Sequence, residues 1–388
     1  MTMRIRVIRD LAEFARLERD WTCLISDSPY TAPYYSWQWS QIAWRAFCGD
    51  QNGSKQRTLH IVVVEDATGR TLAIAPFMRE MTRLRGLPIR QLAFTPDLAP
   101  RRSFLFRNGV SKSEAVAAIA EHLAACRNQW DMMTLIGLEE DAANLALIEE
   151  GLRASNLPVV RLDAFNTPYI DIGDDFQKFL RESLSRSRRQ SVGRKVRRLC
   201  EQNFRIVEFT KPEEMPNAIA MFLEVCRASW KAKAGVDITS SAARTQFFSE
   251  IAGHYASEGR TRIWLAVLDE QPIAVELHVT DGNKLYFMET DFAQSHEKLS
   301  PGTVLLYKVL EQIHSEPVEE FDFGGRTFDY KLKWATGVRK HYSIEVYNRR
   351  FYSRLLYQAK NRLMPALRKM FARKTAELPT EVHGEDDE

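Results

Sequence analysis

The sequence predicts an α/β (α+β) fold built twice, as two tandem domains, each a mixed, largely antiparallel sheet flanked by helices. Three observations carry the prediction. Paired runs of apolar, β-branched residues occur at 59–78 and again at 262–279. Each pair is followed by an amphipathic helix, one opening at Ser113 and the other at Thr303. Each helix leads into a short apolar strand, at 132–136 and at 320–323. Similarity at so long a period indicates two copies of one domain, because solenoid repeats are far shorter.

Size and composition agree with this plan. The 388 residues suggest two or three domains, and 45% apolar with 27% charged residues is the balance of a globular protein. A formal net charge of +3 supplies no global field toward nucleic acid. Cys23, Cys48, Cys126, Cys200 and Cys226 are scattered, odd in number and never spaced C-x-x-C. That pattern argues against a zinc site or a disulfide framework and for a reducing compartment, with no metal expected. Residues 1–10 contain no apolar run of signal-peptide length and no later stretch reaches membrane-spanning length, so a cytoplasmic protein is expected.

The first half opens with a strand at 5–8 and an amphipathic helix at about 11–25. An aromatic segment follows (Tyr34, Tyr35, Trp37, Trp39, Trp44, Phe47), which suits either core packing or the lining of a cleft. The hairpin turns at Asp66-Ala-Thr-Gly69, a good signal between β-branched runs. The helix from Ser113 places Val116, Ile119, Ala120 and Leu123 at helical spacing, and a second helix is expected at about 142–154. Between the halves lies a strongly basic helix, 176–199, and two helices near 215–231 and 242–257 flank Val236. The second copy then supplies strands at 262–269, 272–279 and 285–290, a helix at 303–313 with Leu306, Val309, Leu310 and Ile313, and the strand ending in Phe321-Asp-Phe-Gly-Gly325.

The ordered set Arg186-Ser-Arg-Arg189, Arg194-Lys-Val-Arg-Arg198, Ile273-Ala274, Ser300-Pro-Gly302 and Asp322-Phe-Gly-Gly325 followed by Tyr330-Lys331 resembles the GNAT superfamily. Within it the chain is similar to the cellulose-biosynthesis-type (CelD/BcsL-like) acetyltransferases. The resemblance covers 176–334 well and the first half as a diverged copy. The tandem plan is also similar to the Fem peptidyltransferases, which use aminoacyl-tRNA and a cell-wall precursor. The implied activity is transfer of an acyl group from acetyl-CoA or another acyl-CoA to an amine or hydroxyl. The implied acceptor is a small molecule or glycan of the polysaccharide or cell-envelope kind. A Fem-like aminoacyl-tRNA-dependent transferase and a non-catalytic accessory protein of polysaccharide synthesis are the alternatives, and only the first of these calls for nucleic acid.

In such enzymes the donor pyrophosphate sits on backbone amides at the start of the central helix, where unpaired N–H groups and the helix dipole favour an anion. The usual Arg/Gln-x-x-Gly-x-Gly/Ala loop is reduced here to one glycine in His296-Glu-Lys-Leu-Ser-Pro-Gly-Thr303. Ser300, Gly302, Thr303 and Val304 are the donor-binding candidates. Ser300 capping a helix with Pro301 at its first position is the plain structural alternative. For the chemistry, strand alternation puts Glu276 and His278 on one face and Glu289 and Asp291 on one face of the next strand. Glu276 in mid-strand is the first candidate base, followed by His278 and Glu289, unless that face is simply solvated. Asp322 stands where the carboxyl edge of a sheet meets ligand. Lys331 matches a lysine that contacts the donor in Fem-like proteins, or else snorkels from a helix. Arg189, Tyr286 and Tyr330 complete the set as substrate-binding candidates.

The basic helix suits a solvated face, a site for an anionic substrate or tRNA, or a membrane-facing patch. The segment 349–374 has no acid and carries apolar residues among its cations, which suits either peripheral contact with an anionic leaflet or docking on the domain. The expected division is 1–165, a diverged GNAT-like domain; 166–348, the acyltransferase domain; 349–374, a basic amphipathic helix; and 375–388, a disordered acidic tail.

Overall fold

The apolar runs of the sequence become strands of a single sheet, because a run buried on both faces is stable only where helices cover both sides. The computed structural model describes residues 3–26, 32–48, 57–95, 99–140, 143–325 and 327–363. In the first half the elements are β1 (Arg4–Ile8), α1 (Leu11–Arg16), α2 (Glu18–Ser26), α3 (Trp37–Cys48), β2 (Arg57–Glu65), β3 (Thr71–Leu84) and β4 (Leu87–Phe94). They continue as β5 (Leu105–Phe106), α4 (Lys112–Ala125), β6 (Met132–Glu139), α5 (Ala143–Ala154) and β7 (Val159–Asp171). The second half has α6 (Phe176–Ser183), α7 (Arg186–Cys200), β8 (Phe204–Phe209), α8 (Met215–Arg227), α9 (Trp230–Lys233) and α10 (Ala242–Ser257). It ends with β9 (Thr261–Leu268), β10 (Gln271–Asp281), β11 (Lys284–Phe292), α11 (Pro301–Ile313), β12 (Glu320–Asp322), α12 (Asp329–Leu332), β13 (Gly337–Tyr347) and α13 (Phe351–Gln358).

The strand order is β1-β2-β3-β4-β6-β13-β7-β12-β11-β10-β9-β8, with β5 paired to β3. Among the described residues only β4/β6 and β11/β12 are parallel, and every other pairing is antiparallel. Each parallel pair is joined by a crossover helix, α4 in one half and α11 in the other, so the repeat read from the sequence is a repeat of topology. The centre of the sheet is an exchange. β7, the last strand of the first half, pairs with β12, while β13, the last strand of the second, pairs with β6. The cores record the exchange: Ile344 and Val346 of β13 are buried with Val62, Leu135 and Ile148, and Ile170 of β7 with Leu285, Leu305 and Phe321. Residue 165 therefore falls inside a strand shared by both halves.

Helices α4 and α5 cover one part of the sheet, and α6, α7 and α11 cover the same role in the second half. Helices α1, α2, α3, α8 and α10 join in a single core that spans both halves. Several expected helices are divided. The basic segment is two helices, because Leu184 turns extended and buries while Ser185 caps α7, its side chain accepting from the Arg188 N–H. The helix expected at 215–231 stops at Ala228, and Ser229 caps α9 in the same way. The helix expected at 11–25 is interrupted at Leu17. Strands β7, β8 and β13 are additions to the expected set. Of the segment 349–374, residues Phe351–Gln358 form α13 and Ala359–Leu363 a π-helical turn; 364–388 lie outside the described residues. This part is docked: the Tyr352 hydroxyl donates to the Pro88 carbonyl at 2.7 Å, and Leu356 is buried beside Ile89, Met132 and Tyr347.

Candidate active site

Strands β11 and β12 pair only at Lys284↔Glu320, Leu285↔Phe321 and Tyr286↔Asp322. Beyond Asp322 the chain turns through Gly324 and Gly325, both at positive φ (+54° and +57°), while β11 runs on to Phe292. The two strands part, and a gap opens in the sheet. A Cβ at Gly324 would lie 3.0 Å from the Phe287 carbonyl oxygen and 3.2 Å from the Tyr34 hydroxyl, so only glycine lets the turn approach this closely.

A cavity of about 1070 Å³ occupies the gap. On the α11 side it is lined by Ser300, Gly302, Thr303 and Glu276, together with Arg188 and Lys195 of α7. On the other side stand Trp39, Lys231, Arg244, Phe247, Glu289 and Asp291, and Phe328, Tyr330 and the buried Lys331, which follow the glycine turn, complete the lining. A bulge explains why carboxylates of neighbouring strands face opposite sides. Leu277 pairs with Glu289 but His278 with Phe287, so Met288 is an extra residue on β11. The extra residue resets the alternation. Phe287 belongs to the core under α11, whereas Met288 packs into the core under α8 and α10, and Glu289 faces Lys231 there.

Glu276 is 1% and His278 0% exposed, and His278 Nε2 lies 3.1 Å from a Glu276 carboxyl oxygen. The face is buried, not solvated. Burial pushes the Glu276 carboxyl well above the usual carboxylate range and His278 well below the usual imidazole range, with Arg262 adding to the latter. Among the described residues His278 Nδ1 has no hydrogen-bond partner. An orphan lone pair costs less than an orphan N–H, which favours the tautomer whose Nε2–H donates to Glu276.

Lys331 does not snorkel. It is 6% exposed, and its ammonium donates to the carbonyls of Phe323 at 2.8 Å and Gly324 at 3.0 Å. An ammonium has three N–H groups, and the partners among the described residues take two of them. Burial lowers its pKa to about 8, partly offset by Glu289 and Asp322. Across the gap, Lys231 binds Glu289 at 2.8 Å and lies 3.6 Å from Asp291. Burial raises Asp291 to about 6, although Lys231 pulls in the opposite direction.

Other expected residues lie elsewhere. Asp322 is fully buried behind the cavity wall, paired with Arg101 of the first half and with Arg339 at 3.3 Å, and it accepts the Gly324 N–H at 2.7 Å. It fixes the glycine turn and does not face the cavity. Tyr286 is likewise buried, edge-on to Tyr34 and beside Arg101. Arg189 turns away to donate to the carbonyls of Arg181 and Leu184, and its neighbour Arg188 lines the cavity instead. Val304 is a core residue whose N–H already donates to the Ser300 carbonyl at 3.2 Å, as does that of Thr303 at 3.0 Å. Ser300 stands at the cap position but makes no side-chain cap; it is held left-handed at φ +54°. Such strain in a non-glycine residue gathers at functional sites.

Sequence reasoning missed Lys231 and Arg244, because a lysine in a short helix and an arginine near a helix start carry the pattern of solvated residues. The aromatic segment carried a signal with two readings, and both hold for Tyr34 and Trp39, which are buried in the core and also line the cavity.

Residues 186–332 match the family model described as an acetyltransferase (GNAT) domain. Comparison with curated proteins gives no match. Among solved structures, the crystal structure of FemX is 12% identical with a TM-score of 0.56, covering 93% of this chain and 100% of that one. A conserved protein of unknown function from Bacteroides thetaiotaomicron is 8% identical with a TM-score of 0.53, over 88% and 100% of the two chains. The C-terminal domain of a putative lysylphosphatidylglycerol synthetase from Agrobacterium fabrum is 10% identical with a TM-score of 0.52, over 89% and 96%. At these identities the likeness is one of fold. The second half of this chain thus carries a GNAT acetyltransferase domain, set in a larger sheet whose architecture these structures share.

Proposed function

We propose that the protein transfers an acyl group, acetyl foremost, from a coenzyme A thioester to an amine or hydroxyl of a sugar-containing acceptor of the polysaccharide or cell-envelope kind. The observation that carries this reading is a cavity running through the sheet at the β11–β12 gap, with a helix start on one side and a polar, aromatic chamber on the other. The donor enters from the α11 side, its diphosphate on the Gly302 end of the helix, and its thioester arm reaches the gap. The acceptor enters from the α9–α10 side. The half-exposed Trp230 offers a flat apolar face to a sugar ring, with Lys231, Glu289 and Asp291 as polar anchors. This division suits the chain's resemblance to the cellulose-biosynthesis-type acetyltransferases.

The chemistry follows from the groups at the crossing. The acceptor nitrogen or oxygen attacks the thioester carbon, and its proton passes to the ionised Glu276 carboxylate, steadied by His278. The oxyanion that forms is met by the third N–H of Lys331. Collapse breaks the carbon–sulfur bond, and Lys331, with a pKa of about 8, protonates the leaving thiolate, whose ordinary pKa is about 8.5. Solvent restores both protonation states.

Thermal melting with acetyl-CoA tests the reading. Ligand at a hundred times its Kd stabilises the folded state by about 2.7 kcal/mol and raises Tm. Acceptor screening then uses amino sugars and glycan fragments with release of free thiol as readout. No shift with any acyl-CoA, together with salt-sensitive affinity for tRNA, would replace this reading with an aminoacyl-tRNA-dependent transferase. Silence in both assays would leave an accessory role.

A further inference from the structure

Helix α7 contains seven cations and no acid. Its cavity face is a single stripe, Arg188, Ser191, Val192 and Lys195, at the i, i+3, i+4, i+7 spacing of one helical surface. Val192 is buried against the α11 core and fixes the rotation of the helix. Arg188 and Lys195 are half-buried, and among the described residues neither has a carboxylate partner. The cations across the cavity differ, since Lys231 and Arg244 are both held by Glu289. Two cations are thus turned into a cavity with their charge uncompensated.

Their place in the sheet says what they would meet. Strands follow in the order β12, β11, β10, β9, β8, and the gap lies between the first two. Helix α11 lies over β11, β10 and β9, and α7 packs beyond it on β8. The start of α11 and the Arg188–Lys195 face of α7 line the same cavity, so a donor whose thioester arm enters the gap and whose diphosphate rests at the start of α11 has room to extend its nucleotide end along α7. Arg188 and Lys195 are about 10 Å apart along the helix axis, with Ser191 between them, so two long side chains can close on one group there.

Building on the acyl-CoA reading, we propose that Arg188 and Lys195, with Ser191 between them, hold the ribose phosphomonoester of the donor and so select coenzyme A over dephospho-coenzyme A. A phosphomonoester carries close to two negative charges at neutral pH and offers three acceptor oxygens, which suits a guanidinium and an ammonium together.

Calorimetric titration of the full chain with coenzyme A and with 3′-dephospho-coenzyme A tests this. The wild type is expected to bind coenzyme A at least tenfold more tightly. The Arg188→Ala/Lys195→Ala double variant should bind coenzyme A as weakly as the dephospho form, with affinity for the latter unchanged. Arg194→Ala/Arg197→Ala, on the exposed side of the same helix, should keep the wild-type preference. Equal affinity of the wild type for the two ligands would overturn the proposal and leave the acyl-CoA reading standing, as would a double variant that weakens both ligands alike. Binding of neither ligand at millimolar concentration would overturn both.

Discussion

Glu276→Gln isolates the proposed base with the least disturbance to the site. The substitution keeps the number of heavy atoms, and the new amide oxygen can still accept from His278 Nε2–H, so the 3.1 Å contact between the two side chains survives. What is lost is the capacity to take a proton. General-base assistance contributes about 10²–10⁴ in rate. That range corresponds to about 2.7–5.4 kcal/mol of barrier, at roughly 1.36 kcal/mol per tenfold. Donor binding should not change, because the helix start at Ser300–Thr303 belongs to another element. Stability supplies an independent check. Burial raises the Glu276 pKa, so the folded protein holds a proton that the unfolded chain releases above about pH 4.5. From there up to the raised value, the wild type loses about 1.4 kcal/mol per pH unit from this group, and glutamine loses none. The stability of the variant relative to the wild type should therefore be greater at pH 8 than at pH 5. The assays are steady-state acyl transfer, calorimetric donor affinity and urea unfolding at pH 5 and 8. An unchanged kcat, or a fall in kcat matched by an equal loss of donor affinity, would refute the assignment.

Further outcomes follow from the same geometry. The pH profile of kcat/KM should rise as Glu276 ionises and fall as Lys331 loses its proton near pH 8; the rising limb should vanish in Glu276→Gln, and a profile still climbing at pH 10 would exclude Lys331 as a working ammonium. Asp322→Ala leaves the buried Arg101 without its carboxylate partner, and denaturant titration should show a loss of about 3–5 kcal/mol. Gly324→Ala forces a side chain into the left-handed region at about 1–2 kcal/mol and crowds the Phe287 carbonyl, so kcat/KM should fall more than stability does; equal activity would mean that the gap is not the reaction channel.

Much of this was legible in contiguous residues. The hairpins, the two crossover helices and the Asp322–Gly325 turn announce themselves through alternation, helical spacing and glycine, which are local signals. Face-sharing within one strand was legible too, for Glu276 with His278 and for Glu289 with Asp291. Strand β13 was not. Its outer part, Arg339, Lys340 and His341, is polar and lacks apolar alternation, and its arginine serves Glu320 and Asp322 across the sheet, not a helix above it.

The sequence by itself determined that one αβ unit occurs twice and that the second copy holds a helix start, a glycine turn and acidic residues that share strand faces. Only the tertiary structure decided how these meet. The halves exchange their last strands, and Arg101, remote in sequence, neutralises Asp322. A single bulged residue, Met288, sends Glu289 to the face opposite Glu276. Periodicity along a strand reports which residues share a face, but not which distant strand lies beside it or where an inserted residue resets the count. Those choices belong to long-range pairing and to the compensation of buried charge, and they turn an ordered set of elements into a channel through a sheet.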